Sequence, residues 1–96
     1  MSSGTSPSKP QYTIQIDRTV EKTLRKQPRN LAARLVKVIY ALADNPHPTN
    51  SLKLEGYDKL YRLRVGDWRI IYQVDGDQLL IIVLEIGSRG GIYRND

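Results

Sequence analysis

The sequence predicts an α+β fold in which two N-terminal helices pack on one face of a mainly antiparallel four-stranded sheet. Three observations predict it. Residues 61–72 form two alternating apolar and polar runs around Gly66-Asp67, a two-residue hairpin signal. Leu31, Leu35, Val38, Ile39 and Leu42 recur at helical spacing. Residues 79–86 are almost continuously apolar, as in a strand buried on both faces. The predicted order is strand, helix, helix, strand, strand, strand, and no internal repeat interrupts it.

Each element follows in turn. Residues 1–10 are Ser, Pro, Gly, Thr and Lys-rich without apolar periodicity, and are expected to be a disordered tail. Residues 11–96 are expected to form one domain. Tyr12, Ile14 and Ile16 alternate as one face of a strand. Asp17 is placed to cap a helix running to about Lys26, with Glu21 near its positive end and a thin stripe of Val20 and Leu24. Pro28 ends that helix, and Asn30 is expected to cap the second, residues 31–44. Pro46 and Pro48 break residues 45–51 into a loop, and residues 52–58 lead to the hairpin. Asp75-Gly76 marks another tight turn before the last apolar strand.

A hairpin with a two-residue turn has a fixed register. Val65 then opposes Trp68, Arg64 opposes Arg69, Leu63 opposes Ile70 and Tyr61 opposes Tyr72. Tyr61, Leu63, Val65, Trp68, Ile70 and Tyr72 share the apolar face, while Arg62, Arg64 and Arg69 share the other. Like charges opposed across a sheet destabilise it by roughly 0.2–1 kcal/mol. An anion between Arg64 and Arg69 reverses that sign, and phosphate oxygens match guanidinium forks.

Composition agrees with an acidic partner. The 96 residues carry a net charge of +5, which favours nucleic acid or an acidic protein. There is no cysteine, so disulfides and thiolate metal sites are excluded. No stretch approaches the roughly 18 apolar residues of a membrane span, and no secretory apolar run opens the chain. A cytoplasmic location is the default expectation. The usual catalytic sets fail. The one histidine, His47, lies between two prolines, Ser88 has no evident base, and the carboxylates are scattered without metal-ligand spacing. No metal or cofactor is expected. What remains is arginine and tyrosine: Arg62, Arg64 and Arg69 on one face, Arg89 beyond the last strand, and Tyr93 four residues later. Such a set can clamp a phosphodiester and neutralise charge developing on phosphorus. Lys53, Lys59 and Arg94 extend the basic surface.

These residues resemble the RelE branch of the RelE/ParE toxin superfamily over about residues 11–94. The resemblance rests on Leu52-Lys53-Leu54-Glu55-Gly56, on the block from Leu60 to Val74, and on Gly87-Ser88-Arg89 with Tyr93-Arg94. It implies a RelE-like fold and an mRNA interferase toxin, which cuts mRNA in the ribosomal A site and is silenced by a cognate antitoxin. The substrate's own 2′-hydroxyl is the nucleophile, and no metal is needed. Arg64, Arg69, Arg89 and Tyr93 fall on the catalytic positions and Arg62 on one that binds the flanking backbone, while Lys53 and Arg94, on the basic surface, are expected to add RNA contacts. Tyr93 is then the group that orients or deprotonates the 2′-hydroxyl. Well-known members carry lysines at the positions of Arg62 and Arg64. Arginine, with a pKa above about 12, stabilises a leaving alkoxide by charge but is a weak proton donor. A ParE-like inhibitor of DNA gyrase and a non-catalytic RNA-binding module are the alternative readings.

Overall fold

Residues 11–88 are described in the computed structural model of the chain. The expected tail, residues 1–10, lies outside them, as do Arg89, Tyr93 and Arg94. The elements are β1 (Thr13–Ile16), α1 (Arg18–Arg25), α2 (Arg29–Ala41), β2 (Ser51–Lys53), β3 (Leu60–Val65), β4 (Trp68–Asp75) and β5 (Leu80–Ser88).

The α+β class and the helix pair agree with the sequence, but the sheet has five strands in the order β1-β5-β4-β3-β2. The extra strand is β2, antiparallel to β3 through Ser51↔Leu63, Leu52↔Arg62 and Lys53↔Tyr61. Three residues are too few for alternation to declare a strand, and this one sits on the sheet edge. The sheet is mixed, because β1 runs parallel to β5 while the other neighbours are antiparallel. Strand pairing across some 65 residues leaves no local sign of direction.

Helix α1 begins where its chemistry requires. Asp17 is extended and its carboxylate accepts from the Thr19 backbone N–H at 3.0 Å and from the Thr19 hydroxyl. These bonds hold the Asp17 carboxyl below its ordinary value. Helix α2 starts earlier than Asn30 implies. Pro28 is its N-cap, with no side-chain cap bond, and the helix stops at Ala41 rather than at residue 44. Proline suits a helix start because it lacks the amide hydrogen that would go unpaired there.

The hairpin register is as expected: Tyr61↔Tyr72, Leu63↔Ile70, Arg64↔Arg69 and Val65↔Trp68. Gly66 has φ +60° at the turn, a conformation that side chains resist. The second turn is longer than a tight hairpin. Asp75 pairs with Leu80, leaving a four-residue loop in which the Asp75 carboxylate accepts from the amides of Asp77 and Gln78. Leu79 there takes φ +52°, and its carbonyl accepts from Thr13 N at 2.8 Å, tying the loop to β1.

The core lies between the helices and one sheet face. Val20 and Leu24 of α1 and Leu35 and Ile39 of α2, with Leu42 just beyond, pack with Leu63, Val65, Ile70, Tyr72, Val74, Ile81 and Val83. Strand β5 is less uniformly buried than its apolar run implies. Ile81 and Val83 are buried, and their neighbours Ile82 and Leu84 are partly exposed because they belong to the uncovered face. A register shift between Ile71 and Tyr72 re-phases β5 so that Ile86 still joins the core side.

Candidate nucleic-acid cleavage site

The face away from the helices carries the three hairpin arginines. Strand pairing arranges it as two neighbouring rows. One row is Leu52, Arg62, Ile71 and Glu85. The other is Arg64, Arg69 and Gly87, extended past β2 by Asn50. Directly opposed side chains have Cβ atoms about 4.5–5.5 Å apart, so Arg64 and Arg69 stand within reach of one small anion. Arg64 is exposed, and Arg62 and Arg69 are partly so. Gly87 beside Arg69 contributes no side chain. Ile71 is only 7% exposed although it lies away from the helices, and gives the face an apolar floor.

The arginines rest on a firm base. Asn50 holds the Arg64 backbone from both sides: its side-chain Nδ2 donates to the Arg64 carbonyl at 2.6 Å, and its own carbonyl accepts from Arg64 N at 3.2 Å. The loop bearing Asn50 is pinned in turn. The Tyr72 hydroxyl donates to the Pro46 carbonyl at 2.7 Å. The Ser51 hydroxyl and amide both donate to the Pro48 carbonyl, at 2.8 and 3.0 Å. The His47 ring lies 4.7 Å from the Tyr61 ring, which stacks on Tyr72 at 5.7 Å. His47 therefore serves the loop's packing. Burial pushes the Tyr72 phenol above its ordinary value, so it stays a donor at neutral pH.

The structure thus brings Arg62, Arg64 and Arg69 together. It does not bring Lys53 to them. Lys53 pairs with Tyr61, so alternation sends it to the opposite side of the sheet edge from Arg62. Arg89, Tyr93 and Arg94 lie outside the described residues. The last described residue, Ser88, pairs with Trp68, next to Arg69. Sequence reasoning missed Asn50 and Leu52. The available signal was Leu52 itself, a large apolar residue in a polar segment, which is 60% exposed. Among the described residues no group of three His, Cys, Asp or Glu side chains is placed to hold a metal ion. Nor is any described helix long and apolar enough to cross a membrane.

Over residues 14–93 the chain matches the family described as ParE toxin of type II toxin-antitoxin system, parDE. The chain belongs to the RelE/ParE toxin superfamily. Its relatives put it on the RelE branch. It is 36% identical over 81 residues to toxin RelE3 of Methanocaldococcus jannaschii, covering 79% of this chain and 89% of that protein. It is 27% identical over 84 residues to toxin RelE of Mycobacterium tuberculosis, covering 86% and 87%. Among solved structures it resembles the archaeal RelE of Pyrococcus horikoshii, crystallised as a RelE–RelB complex. That match has a TM-score of 0.76 and 32% identity, and covers 84% of this chain and 98% of the other. The RelE-like toxin fold thus accounts for the five-stranded sheet and for the helices confined to one side.

Proposed function

We propose that this RelE-family toxin is an mRNA interferase, a ribosome-dependent endoribonuclease that cleaves mRNA in the A site without a metal. The observation that carries the reading is the opposed pair Arg64 and Arg69, flanked by Arg62, on the face the helices leave open. In the proposed reaction the ribose 2′-oxygen attacks the adjacent phosphorus. The P–O5′ bond breaks, leaving a 2′,3′-cyclic phosphate on one fragment and a 5′-hydroxyl on the other. Tyr93 takes the 2′-hydroxyl proton, aided by neighbouring guanidinium charge that favours its phenolate. Arg69 and Arg89 hold the non-bridging oxygens. Arg64 stabilises the departing 5′-oxygen, and Arg62 and Arg94 hold the flanking backbone. Arginine cannot readily surrender a proton, so water protonates the 5′-oxygen.

A cognate antitoxin silences the toxin in this reading, as the RelE–RelB complex of the Pyrococcus relative supports. The cytoplasm, where ribosomes are, is the proposed location. One observation favours a second reading, inhibition of DNA gyrase by binding: the matching family is described by its ParE members. The deciding experiment is translation in a purified ribosome system with the mRNA ends mapped. Wild-type protein should produce A-site cuts with cyclic-phosphate ends. Arg64→Ala and Tyr93→Phe should each lose roughly 10²-fold or more in cleavage, the scale of removing one preorganised charge-stabilising group. Both variants should keep the circular dichroism of the wild type. Growth arrest that survives both substitutions, with no new mRNA ends, would transfer the assignment to gyrase.

A further inference from the structure

A cavity of about 510 Å³ opens on the arginine face, lined by Thr49, Asn50, Leu52, Arg62, Arg64 and Gly66. Its volume falls within the roughly 300–1,000 Å³ of small-ligand sites. Its lining combines three chemistries. Arg62 and Arg64 supply positive charge along one wall. Leu52 supplies an apolar surface that is 60% exposed. Asn50 and Thr49 supply an amide and a hydroxyl. Leu52 stands directly across the ladder from Arg62, and Asn50 across from Arg64. Each cation is therefore paired with a non-ionic neighbour one strand further from the Arg64–Arg69 pair. The wall does not have to be assembled by the ligand, because Asn50 is already bonded to Arg64 and Ser51 to Pro48.

We propose that this cavity is a nucleotide subsite that seats the residue flanking the scissile phosphate, with its base against Leu52 and its phosphate on Arg62. The inference rests on the nuclease reading and adds to it a recognition element outside the reacting groups. An isolated phosphate needs no apolar platform, and an apolar peptide side chain needs no guanidinium pair; a nucleotide uses both. Asn50 has one fixed duty toward Arg64, donating its Nδ2 to the Arg64 carbonyl. Leu52 thus acts in binding the base, and Asn50 positions Arg64.

The test uses the full chain and a short single-stranded RNA with a 2′-deoxy sugar at the attack position, so that binding is read without cleavage. Fluorescence anisotropy compares this RNA with versions lacking one base at each flanking position. Wild-type protein should lose about tenfold in affinity for one abasic position, the scale expected of covering a leucine side chain. In Leu52→Ala that loss should shrink below about twofold. Tyr57→Ala removes an equally exposed apolar residue outside the cavity and should keep the full loss. A loss that is the same in Leu52→Ala as in wild type, or absent from wild type, overturns the subsite while leaving cleavage intact. If Leu52→Ala instead weakens only an acidic apolar peptide, the cavity belongs to a protein partner and the inference is overturned. Wild-type protein that neither binds RNA nor cuts it on ribosomes removes the nuclease reading and the subsite together.

Discussion

Arg64 and Arg69 are opposed across a hairpin, and without a ligand that arrangement costs the fold something. Substituting either by alanine removes the repulsion and, in the proposed reaction, deletes a contact to the substrate. Arg69→Ala is therefore expected to leave stability unchanged or raise it by up to about 1 kcal/mol, while cleavage collapses. Urea denaturation beside a cleavage assay reads both effects. A large fall in stability would mean that Arg69 holds the fold together rather than serving a ligand. The opposition was legible in the sequence because a two-residue turn leaves only one register. The contribution of Asn50 was not, because nothing local in the sequence ties it to a carbonyl fourteen residues away. Lys53 misled for a related reason. Its charge was evident, but its face depended on pairing with Tyr61 in a strand too short to announce itself.

At the level of elements, the loop between α2 and β2 is fastened to the sheet by the two Asn50–Arg64 bonds at one end and by a buried hydroxyl further back. Tyr72 of β4 is fully buried and donates to Pro46. Tyr72→Phe is expected to cost about 1 kcal/mol, the usual net worth of a hydrogen bond, in equilibrium unfolding. Burial raises the Tyr72 pKa in the folded protein above the roughly 10 of an unfolded tyrosine. Above that pH the unfolded chain releases this proton first. The stabilising contribution is therefore complete below pH about 10 and is lost as pH rises through the folded value. The alkaline fall in stability should be shallower in Tyr72→Phe than in wild type. Equal slopes would show that Tyr72 does not titrate differently in the two states. The helices and the long strands were readable from periodicity, since each buries one stripe or one face. Their exact ends, the three-residue edge strand and the parallel pairing of β1 with β5 were not. Those depend on contacts between distant segments, as does the four-residue loop that replaced the expected tight turn.

For the whole molecule, the net charge of +5 sets how it meets partners. Affinity for single-stranded RNA should fall with rising salt, with a slope of about −0.7 per phosphate neutralised. Removing Arg62 should reduce that slope by the equivalent of about one phosphate, and exchanging Lys53 should change it little, since Lys53 leaves the sheet on the other side. Titration of affinity from low to physiological salt measures this; equal effects of the two substitutions would place RNA elsewhere. The same layering has a further consequence. Packing uses one side of the central strands and the proposed chemistry the other, so damage to the reacting groups need not unravel the domain. A copy that had lost its arginine pair would then yield a well-formed decoy which, under the proposed reading, soaks up the neutralising protein and so releases its active siblings.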